Sequence, residues 1–324
     1  MAEPVLRTSA LTKEFPLGRS FFGQPPVVRA VNGVTLQLAG GETLCLVGES
    51  GCGKSTVGRL IMRLIEPTSG EVVLGGRDIT HLDNCEMRGV RQKIQMVFQD
   101  PFASLNPRMT ARQIVAEPLE NFRTYKSARD RADRVSMLFE RVGLRNDMQS
   151  RFPFEFSGGQ RQRLGIARAL ALDPAIIVAD EAVSALDVSV QAQVLNLLMD
   201  IQDSLGVSYL FISHDLGVVK HIGHRIAVMY LGKIVELAPT RALFKKPEHP
   251  YTQALIAAAP VPNPRAKRNP IVLQGDVPSP IRLPTGCAFH TRCPKAFDRC
   301  KVEEPRLVQS PKNERYVACH LVNA

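Results

Sequence analysis

Nine consecutive residues, Gly48-Glu49-Ser50-Gly51-Cys52-Gly53-Lys54-Ser55-Thr56, combine glycines, a lysine and three hydroxyls at the spacing that wraps a backbone around phosphate. Glycine lets successive N–H groups turn inward on phosphate oxygens, and a helix that follows adds its positive end. Lys54 is then placed to reach the β- and γ-phosphates of a nucleotide, and the Ser55 hydroxyl to ligate Mg²⁺. A plain glycine turn before a lysine is the competing reading. The apolar run Leu44–Val47 before the loop and the helical pattern after it weigh against that reading. Cys52 occupies an unconstrained position and carries no redox assignment.

A second acidic element belongs with the loop. Ile176-Ile177-Val178-Ala179-Asp180-Glu181 reads as a buried strand ending in two carboxylates. Asp180 suits the Mg²⁺ shell, through water, and Glu181 suits polarisation of the attacking water. Alone, this would be an ordinary strand running out to a charged surface. A third element, Phe156-Ser157-Gly158-Gly159-Gln160, places serine and two glycines at a helix start, where they form another anion cradle. The same tripeptide also reads as a simple N-cap.

A phosphate loop, then a serine-glycine-glycine-glutamine helix start, then an Asp-Glu strand, in that order, resembles the ATPase subunits of ABC transporters. The resemblance implies further roles. Gln99 touches Mg²⁺ and the attacking water and links the nucleotide to a helical insert. Ser184-Ala185-Leu186-Asp187 is the loop that crosses between subunits, and His214 is the switch histidine at the γ-phosphate. Phe15 stacks on adenine, although by itself it reads equally well as core. Phe156 stands where leucine is usual, and Ala182-Val183 where Pro-Thr is commoner. None of these side chains performs the chemistry. The stretches Phe98–Pro107, Asp180–Leu198 and His249–Leu255, with the tail from Pro284 through Cys300, are similar to the dipeptide/oligopeptide importer subgroup. Nickel and other small-solute importers share much of that pattern.

The elements that must hold these residues alternate. Strand-like runs fall at Leu44–Val47, Glu71–Leu74, Ile94–Phe98, Ala175–Ala179, Ser208–Ile212 and Arg225–Tyr230. The phosphate loop opens a helix through Ile65. Val135, Leu138, Phe139 and Val142 recur at helical spacing with Ser127 as a cap, and Val190 through Leu205 make another helix face. The expected fold is α/β, a P-loop ATPase core over 1–259 with a helical subdomain at about 100–165. Residues 17–26 read as a variable loop. After Ala259, prolines at 260, 262, 264, 270, 278, 280 and 284 exclude long helices and central strands, so 260–324 reads as an extended appendage.

Composition bounds the rest. The chain has 324 residues, 44% of them hydrophobic and 22% charged, a globular balance. No apolar run is long enough to cross a bilayer, and the first residues lack a signal peptide's apolar core, so a cytosolic location is expected. The net charge of +10 fits nucleic acid, anionic lipid headgroups or a solvated basic surface. Four of seven cysteines, Cys287, Cys293, Cys300 and Cys319, lie in the tail. Four thiolates suit Zn²⁺ or an iron–sulfur cluster. The gaps of five and six residues are long for zinc, and some peptide-importer ATPases carry a [4Fe–4S] cluster at this place. Four free thiols are the remaining reading, with His290 and His320 as substitute ligands or surface residues.

The function implied is an ATP- and Mg²⁺-dependent ATPase at the cytoplasmic face of the inner membrane that energises peptide import. Its implied partners are a second ATPase subunit, a paralogue as in the subgroup's usual pairing of two different ones, two membrane permeases and, indirectly, an extracytoplasmic solute-binding protein. No nucleic acid is expected among them. The alternatives are import of nickel or another small solute, an exporter ATPase, and a soluble ABC ATPase acting on nucleic acid. The stretch from Lys54 to Ser157 carries no heptads of the repair type, and one P-loop argues against the two-domain translation type.

Overall fold

The computed structural model of the protein describes residues 3–18, 25–125, 127–259, 273, 275–310 and 315–322. The prolines at 260, 262, 264 and 270, and most of the variable loop, lie outside the described residues. The strands are β1 (Leu6–Pro16), β2 (Val27–Leu38), β3 (Thr43–Val47), β4 (Ser69–Leu74), β5 (Arg77–Asp78), β6 (Ile94–Val97), β7 (Ile176–Asp180), β8 (Ser208–Ser213), β9 (Arg225–Tyr230), β10 (Lys233–Pro239), β11 (Val308–Gln309) and β12 (Tyr316–Val317). The helices are α1 (Lys54–Ile61), α2 (Asn84–Lys93), α3 (Pro101–Ser104), α4 (Ala111–Asn121), α5 (Ala128–Arg141), α6 (Gly158–Leu170), α7 (Val188–Leu205), α8 (Leu216–Ile222), α9 (Thr240–Lys245), α10 (Pro250–Ala258) and α11 (Asp298–Val302).

The chain divides into two compact units. The first comprises Met1–Val5, Ala39–Glu42 and Leu82–Phe211, and the second Leu6–Leu38, Thr43–His81 and Ile212–Ala324. The described residues of the tail therefore belong with the phosphate loop, in the second unit.

In the second unit β3 pairs in parallel with β9, from Leu44 opposite Arg225 to Val47 opposite Val228. All five residues of β3 are buried. A parallel strand covered on both faces reads as a continuous apolar run, which is why its sequence announces it. β10 pairs antiparallel with β9, and β12 with β10, placing Glu236 opposite Val317. A separate antiparallel sheet runs in the order β2-β1-β4-β5. The tail is thus not a free appendage. It contributes a strand partner to β10, and Phe289 is fully buried, its ring 5.2 Å from that of Tyr230 and 5.4 Å from that of Tyr251.

In the first unit β6 and β7 are parallel, Ile94 opposite Ile176. The helical insert follows β6. Thr110 caps α4 with a reciprocal bond to Gln113, and Ser127 caps α5 by accepting from Asp130 N at 3.0 Å. Val135, Leu138 and Phe139 are the buried face of α5. α1 is shorter than the pattern suggested. It stops at Ile61, and Arg63, at φ 52°, turns the chain away.

Two buried titratable groups join α10 to β10. Glu236 is buried in β10 and accepts from Glu248 N and His249 N, both at 3.0 Å. The His249 ring, also buried, accepts from Tyr251 N at 3.0 Å and so caps α10. Burial lowers the His249 pKa from 6.5 to about 3 and raises that of Glu236. Below pH 6.5 the unfolded chain takes a proton at His249 that the folded chain refuses until about 3. Its share of stability is therefore present at neutral pH and lost on acidification through that window. Glu236 has the opposite sign, its share being full below 4.5 and lost as pH rises through the raised folded value. His249→Asn keeps a capping acceptor and removes the titration. Urea unfolding followed by tyrosine fluorescence, in a chain with no Trp and five Tyr, should show a shallower stability loss between about pH 6.5 and 4 than in the parent. Parallel pH profiles would refute the assignment.

Candidate functional site

β3 ends at Val47 and the chain turns through Gly48 to Gly53 into α1. A Cβ on Gly48 would stand 2.2 Å from the Met229 carbonyl oxygen. One on Gly53, at φ 105°, would stand 2.0 Å from that of Ala30. Neither neighbour is a side chain that could swing aside, so both positions require glycine. Gly53 is the N-cap of α1 and no side chain caps it, which leaves the positive end of the helix uncovered by the protein's own oxygens at that residue. The Lys54 side chain is buried within the loop. Its Nζ donates to Gly48 O at 2.8 Å and Glu49 O at 2.9 Å. Burial pushes the Cys52 thiol pKa up, partly offset by Lys54, so this cysteine stays protonated. Ser50 and Gly51 are exposed; Ser55 and Thr56 are half-buried.

His214 lies in the same unit. It is exposed, and shares with Val47, Gly48 and Leu255 the lining of a cavity of about 310 Å³. The next residue, Asp215, caps α8 by accepting from Gly217 N at 2.7 Å. Phe15, near the end of β1, is 37% exposed, with Lys13 Nζ 5.1 Å from its ring centroid. It is a surface aromatic, not a core one.

The first unit holds the carboxylates. Asp180 is the last residue of β7 and is buried. Glu181 follows in the left-handed region, at φ 48°. That conformation costs a non-glycine residue about 1–2 kcal/mol. Gln99 Nε2 donates to Glu181 Oε2 at 2.8 Å, bringing these two predicted residues together. Ser184 bonds back to Glu181 O through both its N–H (3.0 Å) and its hydroxyl (2.9 Å). Asp187 is the N-cap of α7. Ala182 and Val183 are buried, so the departures from Pro-Thr are packing residues.

Ser157 is the N-cap of α6. It accepts from Gln160 N at 3.3 Å, and Gln160 Oε1 accepts from Ser157 N at 3.0 Å. Ser157 is exposed and Gly158 half-buried, while Gly159 is buried against α7, where a Cβ would meet Val190 Cγ1 at 2.3 Å. Phe156, in place of leucine, is buried and anchors the turn.

Comparison with known proteins gives this arrangement its relatives. The family described as ABC transporter matches residues 31–184, and the one described as oligopeptide/dipeptide transporter, C-terminal region, matches residues 235–300. The chain is 60% identical to a probable peptide ABC transporter ATP-binding protein of Sinorhizobium fredii, over 99% of this chain and 91% of that one. It is 51% identical to an oligopeptide transport ATP-binding protein of Bacillus subtilis, over 98% of each. The chain belongs to the ABC transporter ATP-binding family. Among solved structures, a dimeric ATP-binding cassette in a post-hydrolysis state bound to ADP and Pi is similar at TM-score 0.65 and 31% identity, covering 73% of this chain and 99% of that one. The ABC ATPase cassette fold expected from the sequence is thereby shown, as is the ATP-hydrolysing class of the subunit. No helix among the described residues is long and apolar enough to cross a membrane.

The glycine-rich loop has partners that the sequence does not announce. Arg292, in the tail, donates from Nη1 and Nη2 to the two Glu49 carboxylate oxygens at 2.8 and 3.1 Å. The Glu49 N–H donates to Tyr251 Oη at 2.9 Å. The match of His249–Leu255 to the importer subgroup was the only signal near Tyr251; nothing in the sequence points to Arg292. The cysteines are a different matter. Cys287 and Cys293 are half-buried, Cys300 and Cys319 buried. Burial pushes the Cys287 thiol up to about 11, and each of the other three thiols adds to that rise. Yet among the described residues no group of three or more His, Cys, Asp or Glu has the geometry to hold a metal ion, and the iron–sulfur and zinc expectations find no support in it. The rings of His290 and His320 are engaged with the backbone oxygens of Cys287 and Glu303, each at 2.9 Å.

The close approach at Gly159 yields a test. Gly159→Ala should destabilise the protein by about 1–3 kcal/mol through overpacking, read from the urea midpoint. Adding Val190→Ala should restore most of the loss. Additive effects of the two changes would show that the Cβ clash is not the cause.

Proposed function

We propose that this subunit binds and hydrolyses Mg²⁺-ATP to energise peptide import, working at the cytoplasmic face of the inner membrane. The peptide assignment rests on one observation, the match of residues 235–300 to the C-terminal region of oligopeptide/dipeptide transporters. Relatives at 60% and 51% identity bear peptide-transport names and support it. Import of nickel or another small solute, export, and action on nucleic acid are not favoured by any relative named here.

Gly48 to Thr56 supply the phosphate cradle, with Lys54 turning its ammonium from the loop carbonyls to the terminal phosphates. A loop that admits no side chain at Gly48 or Gly53, leading into an uncapped helix start, fits that ligand. Ser55, Asp180 and Gln99 would hold Mg²⁺, which when bound neutralises charge on the phosphate oxygens. Glu181 would take the proton of the attacking water, and its bond with Gln99 orients the carboxylate for that task. His214 would contact the γ-phosphate and Phe15 the adenine. Ser157 to Gln160 would close over ATP held by a second, paralogous ATPase subunit, with Asp187 at the crossing. ATP then favours the closed pair because its contacts to both copies exist only there. Two permeases and an extracytoplasmic binding protein would complete the assembly. Residues 1–259 would form the ATPase proper and 260–324 the importer-type extension.

The extension's thiols, Cys287, Cys293, Cys300 and Cys319, are proposed to hold a [4Fe–4S] cluster. What supports the reading is the match of residues 235–300, which include Cys287, Cys293 and Cys300, to the oligopeptide/dipeptide transporter C-terminal region. A single ion draws its thiolates to about 2.3 Å, whereas a cluster spreads them over separate irons. Iron and acid-labile sulfide in anaerobically purified protein are expected; colourless, iron-free protein would refute this part alone.

The function is tested by reconstituting the subunit with peptide-transporter permeases and a binding protein. Binding protein loaded with peptide should stimulate ATP hydrolysis, and Ni²⁺ should not. Glu181→Gln should slow turnover by roughly 10²- to 10⁴-fold while ATP still binds. Unimpaired turnover in that variant would remove Glu181 from the mechanism.

A further inference from the structure

The tail grips the phosphate loop at one charged point. Arg292 and Glu49 form a two-pronged ion pair whose side chains are only 9% and 26% exposed. A bidentate guanidinium–carboxylate pair fixes angle as well as distance, which a lysine cannot do. Largely shielded from water, the pair is screened less than an exposed surface pair. The pair also holds Arg292 firmly in its charged form.

A second contact meets the same residue from the other side. The Tyr251 hydroxyl accepts the Glu49 N–H at 2.9 Å. Tyr251 is itself packed, its ring 4.7 Å from that of Tyr230 and 5.4 Å from that of Phe289, and Phe289 and Arg292 lie three residues apart in one tail turn, Arg292 N donating to Phe289 O at 3.0 Å. Glu49 is thus held by side chain and backbone at once. The Glu49 carbonyl is, in turn, one of the two oxygens that receive the Lys54 ammonium. The path of contacts from Arg292 to Lys54 runs through one residue, Glu49.

We infer that Arg292 is a positioning residue for nucleotide binding: by clamping Glu49, the C-terminal module sets the shape of the phosphate cradle and the reach of Lys54. The inference rests on the reading of Gly48–Thr56 as the ATP site. Arg292 touches no substrate; it acts through Glu49. Loss of the clamp costs preorganisation of the loop, so it falls on ATP binding rather than on the hydrolytic step.

The test uses the full-length chain and Mg²⁺-ATP, with binding by calorimetry and turnover in the reconstituted transporter. Arg292→Ala should raise the ATP Kd and KM roughly 5- to 30-fold and leave kcat within about threefold. Arg292→Lys, which keeps charge and loses the second prong, should fall between the two. In a Glu49→Ala background the Arg292→Ala effect should largely vanish, since the pair is already gone. Thermal unfolding of each variant separates this from misfolding: a structural role alone would lower Tm without moving Kd in the protein still folded. Unchanged ATP affinity in folded Arg292→Ala, or full additivity with Glu49→Ala, would overturn the inference. Wild-type protein that binds no ATP, or binds it equally well as Lys54→Ala, would instead overturn the reading of the site itself.

Discussion

The carbonyl oxygens of Ala30 and Met229 press into the space that Cβ atoms of Gly53 and Gly48 would fill. That contact dictates much of the second unit. β2 and β9 must both come within a backbone's width of the loop, and β9 does so by pairing in parallel with β3, the strand that delivers the loop. Asn32 N donating to Gly232 O at 2.8 Å, and Gly232 N donating to Cys52 O at 3.0 Å, stitch the same three segments together. The cradle's N–H groups can then converge because the loop has backbone, not side chains, behind it. Burial of Lys54 follows. An ammonium in a tight loop needs oxygens around it, and the loop's own carbonyls provide them.

What the sequence revealed follows from how each element is buried. β3, β7 and β8 are buried at every residue, and β9 at all but its first, so apart from polar residues at their ends they are written as apolar runs. β1 and β2 alternate between buried and half-exposed and carry bulges, and their polar residues hid them. β10 was missed for another reason. Glu236 in its middle breaks the apolar pattern, and nothing local says that two backbone N–H groups from the start of α10 will satisfy that carboxylate. The phosphate loop and the Asp-Glu strand were legible because their chemistry is carried by residue types in consecutive positions. The Glu49–Arg292 pair was not, since it joins residues far apart in the chain, and charge composition does not tell which arginine meets which carboxylate.

The serine-glycine turn shows that two readings of one motif need not exclude each other. Ser157 and Gln160 bond reciprocally, as a capping box requires, and this fixes the start of α6. Gly159 is needed because α7 lies against it. Both are reasons of local folding. They nevertheless leave the Ser157 side exposed, where a capped, rigid helix start presents a fixed dipole to whatever approaches. Glu181 is the counterpart in strain. Its left-handed backbone is held by the Ser184 turn, so the carboxylate's direction is set by the loop before any ligand arrives.

The order of segments along the chain has a consequence for biosynthesis. Most of the first unit comes from the continuous stretch Leu82–Phe211, inserted between halves of the second. The sheet of the second unit collects strands from β3, starting at Thr43, to β12, ending at Val317. On the ribosome the inserted stretch is complete while the phosphate loop still waits for β9, β10 and the tail turn that carries Phe289 and Arg292. The surroundings of the glycine-rich loop are therefore complete only after β9, β10 and that tail turn have been synthesised, whereas the inserted stretch can fold earlier.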